Sequence, residues 1–478
     1  MPPSRNASGN SVAVAALLLG VVLLTGCGKS SSKPTAPAMP EVNTDPANAN
    51  ARILAQQIFG DSDKKSQVRQ LAAGDGLSDW FLGELNGSSV VGRLNATGTV
   101  ASHTGLIYRP LDIETLSASS PVPGGAIIVG AYDTDADNQD EVGFVTLVDG
   151  LGVVVSEQGV ASTSSDVWFT AIAPLSDSVF VVVGGERTPS RTNPLVALFA
   201  LTPSGALEKR QQAVLSSISG RTAYDVATDP ADALAPSRRI YVVTELNPAG
   251  SATSNVVVYG MDIDPATLAP SSLAWNQTMT GKGIGTSERD VRVFGGALYL
   301  VGSAGDPDKG TPSNGGHWDS GLVARLSPTG TIEWEKVIKL TSHSERLKWA
   351  VPTANAVIAL GEAANYFNTT SDDVFGYGWV ARLAPADGAL LSSFTFGDAG
   401  FSSGFISGYL TGSGLHVGGW SQQETNGGPF RAWWSAVDLN AVASMAPGPQ
   451  PERARPGEAA VRDAPGGSML AARVFPLH

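Results

Sequence analysis

The chain has 478 residues, 42% of them apolar and 16% charged, with a formal net charge of −13 and a single cysteine. That balance disfavours nucleic acid as a partner and gives charge no reason to hold the protein on anionic lipid. One thiol excludes a disulfide framework within the chain, so the fold has to rest on apolar burial and strand pairing.

From the start of the chain, Arg5 precedes a run of apolar and small residues from Val12 to Leu24, too short to span a membrane and built like an export signal. The run closes in Leu24-Thr25-Gly26-Cys27, which resembles the lipobox of bacterial lipoproteins. The resemblance implies cleavage before Cys27, covalent diacylglycerol on its sulfur and fatty acylation of palmitate type. Gly28 in the next position implies sorting to the outer membrane of a Gram-negative envelope. Residues 1–26 are thus expected to be the signal peptide. Residues 27–50, rich in serine, proline, alanine and asparagine, are expected to be a disordered tether.

Beyond the tether two patterns alternate. Short apolar strands, often running into glycine, begin at Trp80, Ala126, Val179, Ile240, Ala297, Val357 and Leu415, at intervals of 46 to 61 residues. Each is followed by a second strand and a tight turn, most clearly in LVARLSPTGTIEW (Leu322 to Trp334) and WVARLAPADGALL (Trp379 to Leu391). In Ser327-Pro328-Thr329-Gly330 and Thr202-Pro203-Ser204-Gly205, proline at the second turn position and glycine at the fourth predict a type I turn. Strands apolar on both faces must be covered on both sides. Seven units, each of a length for four short strands, predict an all-β fold: a seven-bladed β-propeller of four-stranded antiparallel blades over 51–445.

The seventh copy lacks an outermost strand, ending after Trp433 and Trp434. Its missing partner is found at the start of the repeat region, because Ile53 to Gly76 parallels Leu390 to Gly414, each with an apolar strand ending in Phe-Gly-Asp. The strand Ile53 to Phe59 is therefore expected to complete blade seven and close the ring, removing an exposed sheet edge. Trp433 and Trp434, adjacent in a strand, must point to opposite faces. These segments resemble the bacterial seven-bladed propeller repeat (SBBP-type), a resemblance that implies the architecture and an extracytoplasmic place but no activity.

In the second unit, Asp133, Asp135, Asp137, Gln139 and Glu141 alternate through a tight loop, as a hard cation seeking several oxygens requires. The loop resembles the FG-GAP calcium loop of integrin-type propellers, with Asn138 where that loop has glycine, and implies one structural Ca²⁺. The alternative is a solvated acidic turn. In the fifth unit the polar insertion Ser303 to Gly321 carries His317, Trp318 and Asp319, a candidate contact surface or a segment folded back on its own blade. The five histidines fall in separate units and are expected to be isolated surface residues, and no nucleophile elbow or phosphate loop is present. Residues 446–478, rich in proline, arginine and glycine, are expected to be disordered, with docking of Met469 to Leu477 left open.

The expectation is a lipid-anchored envelope propeller, not an enzyme, that binds an envelope protein or polysaccharide. Two alternatives remain. LSPTGTIEW resembles the repeat of the propeller lipoprotein that assists outer-membrane protein assembly, a tryptophan recurring at the matching place at Trp275. A propeller lyase or glycosidase would gather acidic and aromatic residues around the axis.

Overall fold

A computed structural model describes residues 473–476 and residues 52–438 without 62, 75–77, 134–140, 162–165, 189–190, 216–221, 230–237, 247–254, 264–269, 280–289, 307–317, 340–343, 367–373, 397–400, 413 and 424–428. The described residues are almost all strand and include no helix long and apolar enough to cross a membrane. The signal, Cys27 and the tether lie outside them.

Seven antiparallel sheets form a ring of blades, as the repeat predicts. Blade 1 runs from inside outward as β2 (Gln67–Ala73), β3 (Ser78–Leu85), β4 (Ser88–Asn95) and β5 (Val100–Gly105). Blade 2 repeats the order with β6 (Arg109–Thr115), β7 (Ala126–Asp133), β8 (Glu141–Val148) and β9 (Val154–Val160). Blades 3 to 6 follow, with inner strands β10 (Asp166–Ser176), β14 (Ala223–Thr228), β18 (Asp290–Phe294) and β22 (Ser344–Pro352). Blade 7 has β26 (Phe401–Thr411), β27 (Gly414–Gln423) and β28 (Arg431–Asp438) from the end of the repeat region. Its fourth strand is β1 (Arg52–Phe59), paired antiparallel with β28 from Arg52 opposite Asp438 to Phe59 opposite Ala432.

The second and third strands of each blade are buried on both faces, which is why they read as unbroken apolar runs. Val181, Val183, Val196 and Leu198 of blade 3 pack against Val226, Ile240 and Val242 of blade 4. Trp433 stacks on Phe405 with ring centroids 4.7 Å apart and joins the cluster shared with blade 6, while Trp434 joins the cluster shared with blade 1, so the two face opposite ways.

The turns after the third strands are tighter than a plain type I hairpin. Gly98, Gly205 and Gly330 bond back three residues to Asn95, Thr202 and Ser327 and hold φ near +80°. This is a type I turn closed by a glycine bulge, and it shifts the register one residue after Arg93 and Arg325. The preceding blade grips these turns. The Trp275 and Trp334 indoles donate to the carbonyls of Pro328 and Pro385 at 2.8 and 3.0 Å. Arg93 donates to Gly150 at 2.8 Å, and Gln158 to Leu207 at 2.5 Å. At the closure, a Cβ on Gly98 would strike the Trp434 ring at 2.1 Å, so only glycine fits.

The closure junction also holds a buried polar latch. Asp79 of blade 1 accepts from His416 Nδ1 at 2.7 Å and Trp434 Nε1 at 3.1 Å, and from the Tyr409 hydroxyl. His416 is therefore not the isolated surface residue its sequence suggests, whereas His103 on β5 is exposed. The C-terminal segment contributes β29 (Arg473–Pro476), paired with β21 (Ile332–Lys339) as a fifth, outermost strand of blade 5.

A chain beginning at Gly60 lacks β1 and leaves β28 as an unpaired edge. It should aggregate and melt well below a chain beginning at Asn50, which size-exclusion chromatography and a thermal scan would reveal. A monomer of undiminished melting temperature would contradict closure by β1.

Candidate functional site: the propeller axis

The innermost strand of each blade is a sheet edge, with N–H groups aimed at the axis and no ladder partner for them. Six of the seven inner strands also carry an extra residue opposite the second strand: Arg69, Leu111, Thr170, Tyr224, Lys348 and Ile406. Such a bulge re-aims the side chains beside it. All six bulge residues line an axial cavity of about 130 Å³.

In blades 1, 2, 4 and 7 the residue after the bulge reaches across to the next blade, and in blade 5 the equivalent Asp290 does so from an unbulged strand. Ser407 of blade 7 accepts the Leu71 N–H of blade 1 at 2.8 Å. Gln70 accepts the Ile113 N–H at 3.0 Å and donates to the Ile113 carbonyl at 3.2 Å. Asp112 accepts Ile172 N–H at 2.7 Å, Asp225 accepts Val291 N–H at 2.6 Å and Asp290 accepts Ala350 N–H at 2.6 Å. In blade 3 the equivalent residue is Ala171, and Thr170 instead donates its hydroxyl to the Ala223 carbonyl at 2.6 Å. Six of the seven junctions are thus joined at the axis. A neutral bond of this kind contributes on the order of 0.5–1.5 kcal/mol.

Two residues further along the inner strands, blades 1, 3 and 4 carry Ala72, Ala173 and Ala227, while blade 2 carries Glu114 and blade 5 carries Arg292. Arg292 bonds Asp290 at 2.6 Å, and its guanidinium lies 4.1 Å from the centre of the Trp349 ring. Burial works against its charge, but the pull of Asp290, Asp225 and Asp112 outweighs burial and holds the proton on. One guanidinium does not balance four carboxyl groups. Burial pushes Asp112 up to about 6, against the lowering effect of the Ile172 N–H and Arg292. Burial and repulsion from Asp112 push Glu114 up to about 8. Burial and then Asp290 drive Asp225 well above the usual carboxylate range, and burial raises Asp290 as well.

Around this belt, second-strand glutamates hold the bulge residues: Glu84 with Arg69 at 3.4 Å, Glu245 with the Tyr224 hydroxyl at 3.1 Å and Glu362 with Lys348 at 3.1 Å. The sequence quotes these glutamates in WFLGEL, IYVVTE and VIALGE, where apolar neighbours obscure their recurrence.

The residues singled out by sequence lie elsewhere. Asp133 pairs through its backbone with Glu141 at the mouth of the β7–β8 hairpin, which holds the two ends of the acidic loop side by side. Asp135, Asp137 and Gln139 are outside the described residues, as is His317. Among the described residues no cluster of His, Cys, Asp and Glu is arranged for a metal ion. Trp318 pairs through its backbone with Asp306 at the end of β20 (Trp318–Leu326). Asp319 accepts from Arg346 of blade 6 at 3.2 Å, an inter-blade ion pair. The strands flanking the acidic loop belong to blade 2 and those flanking the insertion to blade 5, and these blades are not neighbours.

The sequence matches no protein-family model and no curated protein. Among solved structures it is similar to a catalytically inactive virginiamycin B lyase from Staphylococcus aureus with quinupristin, at 9% identity and a TM-score of 0.46 over 81% of this chain and 99% of that one. It is also similar to the phage phi92 endosialidase, at 8% identity and a TM-score of 0.46 over 85% of this chain and 71% of that one. A neuraminidase-like protein from A/bat/Guatemala/164/2009 is similar at 9% identity and a TM-score of 0.38, over 79% and 97%.

Because folding favours the protonated forms of Asp112 and Glu114, their contribution to stability is complete below the ordinary values of 3.8 and 4.5. It is lost as pH rises through about 6 and about 8. The melting temperature should therefore fall from pH 5 to pH 9. Glu114→Gln should flatten the upper part of that fall, whose slope for one group is at most ~1.4 kcal/mol per pH unit and less where channel water screens it. Identical pH profiles for the two proteins would contradict the assignment.

Proposed function

We propose that the chain is a lipid-anchored propeller of the bacterial cell envelope that works as a non-enzymatic binding scaffold. The observation that carries this reading is the use already made of the axial polar groups. Asp112, Asp225 and Asp290 each accept a backbone N–H from the neighbouring blade, and Arg69, Tyr224 and Lys348 are bound to glutamates. Both oxygens of each aspartate are engaged, by Ile113 and Ile172 at Asp112, Val226 and Val291 at Asp225, and Arg292 and Ala350 at Asp290, so these groups serve the ring first. Recognition then falls to the loops at the rim, which are free to vary on a rigid frame. The anchor rests on Leu24-Thr25-Gly26-Cys27.

A second reading, a propeller enzyme with a central acidic site, draws on Glu114. Its carboxyl is pushed up to about 8, and no backbone N–H lowers it, so at neutral pH it holds a proton that a general acid could deliver.

Changing Cys27→Ser removes the thiol that would carry the acyl chains. The variant should leave the membrane fraction and lose labelling by a palmitate analogue; continued membrane attachment after a salt wash, with no label on the unmodified protein, would overturn the anchor.

For the acidic loop we propose one structural Ca²⁺ held by Asp133, Asp135, Asp137, Glu141 and the carbonyl of Gln139. Free calcium at about ten times the dissociation constant stabilises by roughly 1.4 kcal/mol. The melting temperature should rise slightly in millimolar calcium relative to chelator, lose that rise in Asp135→Ala and Asp137→Ala, and keep it in Asp140→Asn. No calcium response in the unmodified protein returns the loop to a solvated turn.

A further inference from the structure

The two ends of the ring differ. One end carries the turns joining first to second and third to fourth strands; the other carries the second-to-third strand loops and the connections between blades. Ten large apolar side chains are markedly exposed among the described residues, and all but Ile107 and Tyr132 lie at or near the turn end. Phe294 ends β18 at its turn, and Leu54 and Leu391 stand at the starts of outer strands. The greatest concentration is in blade 2, where Leu151, Val153, Val154 and Val155 are 78%, 58%, 40% and 49% exposed.

The repeat supplies an internal control for that run. The turn residue before the glycine is Thr97, Ser204, Thr329 and Asp387 in blades 1, 3, 5 and 6, and Leu151 in blade 2. The residue after it is Thr99, Ala206, Thr331 and Ala389, against Val153. Blade 2 keeps the same turn, with Asp149 accepting the Leu151 and Val153 N–H groups at 2.9 Å each, so the change is one of side chains and not of backbone. An apolar tip on a rigid turn, continued into an edge strand, is a feature that soluble surfaces usually avoid.

We propose that this apolar tip rests on a lipid surface, with the turn end of the propeller facing the membrane. The chain outside the ring enters at this same end, because β1 begins at Arg52 opposite Asp438, where the third strand of blade 7 finishes. The flanking turn tips of blades 1 and 3, Ala96-Thr97-Gly98 and Pro203-Ser204-Gly205, are uncharged, Asp149 accepts from the backbone of its own turn, Asp177 of blade 3 is held by Ser117 and Ser119, and the charged tip Asp387 belongs to blade 6, three blades away. The two flanking tips can therefore approach headgroups without stripping water from a charge of their own. With a net charge of −13 the attraction is apolar and suits a zwitterionic surface. The inference rests on the anchored reading for the closeness of the membrane, which makes a weak contact effective.

The test reconstitutes the full chain, purified from expressing cells with the mass of its Cys27 modification verified, into phosphatidylcholine vesicles. Amide exchange is then compared with that of the Cys27→Ser chain free in solution. Exchange over Asp149 to Ser156 should slow at least fivefold, while Asn86 to Ser89 at the opposite end stays unchanged. A Leu151→Ser, Val153→Thr double variant, given the polar chemistry of the other blades, should lose the slowing and keep its melting temperature. Equal exchange over Asp149 to Ser156 on and off vesicles overturns the proposal, as does slowing that appears only when envelope proteins are added. An unmodified Cys27 would sink the anchored reading alone; coupling its thiol to a maleimide-headgroup lipid in the same vesicles then reads the docking by itself.

Discussion

A peptide N–H at the inner edge of a propeller blade has no strand to bind, and buried without a partner it would cost about as much as a lost hydrogen bond. In this ring the partner comes from the blade before. Ser407, Gln70, Asp112 and Asp225, each following a bulge, and Asp290 on the unbulged inner strand of blade 5 reach across the junction, and each satisfies one such N–H. Blades thereby become mutually dependent at the axis. At the rim the same dependence is met by turns gripped by Trp275, Trp334, Arg93 and Gln158.

This solution sets the chemistry of the axis. Three aspartates chosen for hydrogen bonding bring three carboxyl groups into a narrow space, and Glu114 adds a fourth. Arg292 offsets part of that charge, while burial pushes Asp112 up to about 6, and burial with repulsion from Asp112 pushes Glu114 up to about 8, so that protonation offsets more of it. A strained electrostatic centre can thus arise from the needs of closure. The same centre gives the enzyme reading its one foothold, so the two accounts differ in what Glu114 faces and not in where the charge lies.

The architecture was legible because its causes are periodic. Two-sided burial makes the second and third strands of each blade continuous apolar runs, and the glycine-closed turn leaves Ser327-Pro328-Thr329-Gly330 and its echoes. Ring closure was legible for a related reason, since Ile53 to Phe59 had to resemble the outer strand Leu390 to Phe396. The axis was not. Its positions hold Gln, Asp, Ala, Asp, Asp, Trp and Ser, which share a geometric task but no chemistry that spacing could expose. The recurrent Asp-Val of Asp225-Val226 and Asp290-Val291 was the one usable signal. His416 was misjudged because its partner Asp79 is distant in sequence and meets it only where blade 7 closes on blade 1.

The dependence of one blade on the next is tested most directly at Asp225 and Val291. In Asp225→Ala, amide exchange is followed under conditions where the centre of blade 4, around Val242 and Val257, stays protected. The account predicts that the Val291 amide, in the following blade, exchanges at least tenfold faster than in the unmodified protein, because the carboxyl that accepts it across the junction is gone. A Val291 amide as slow as before would mean that the blades hold together without the axial belt.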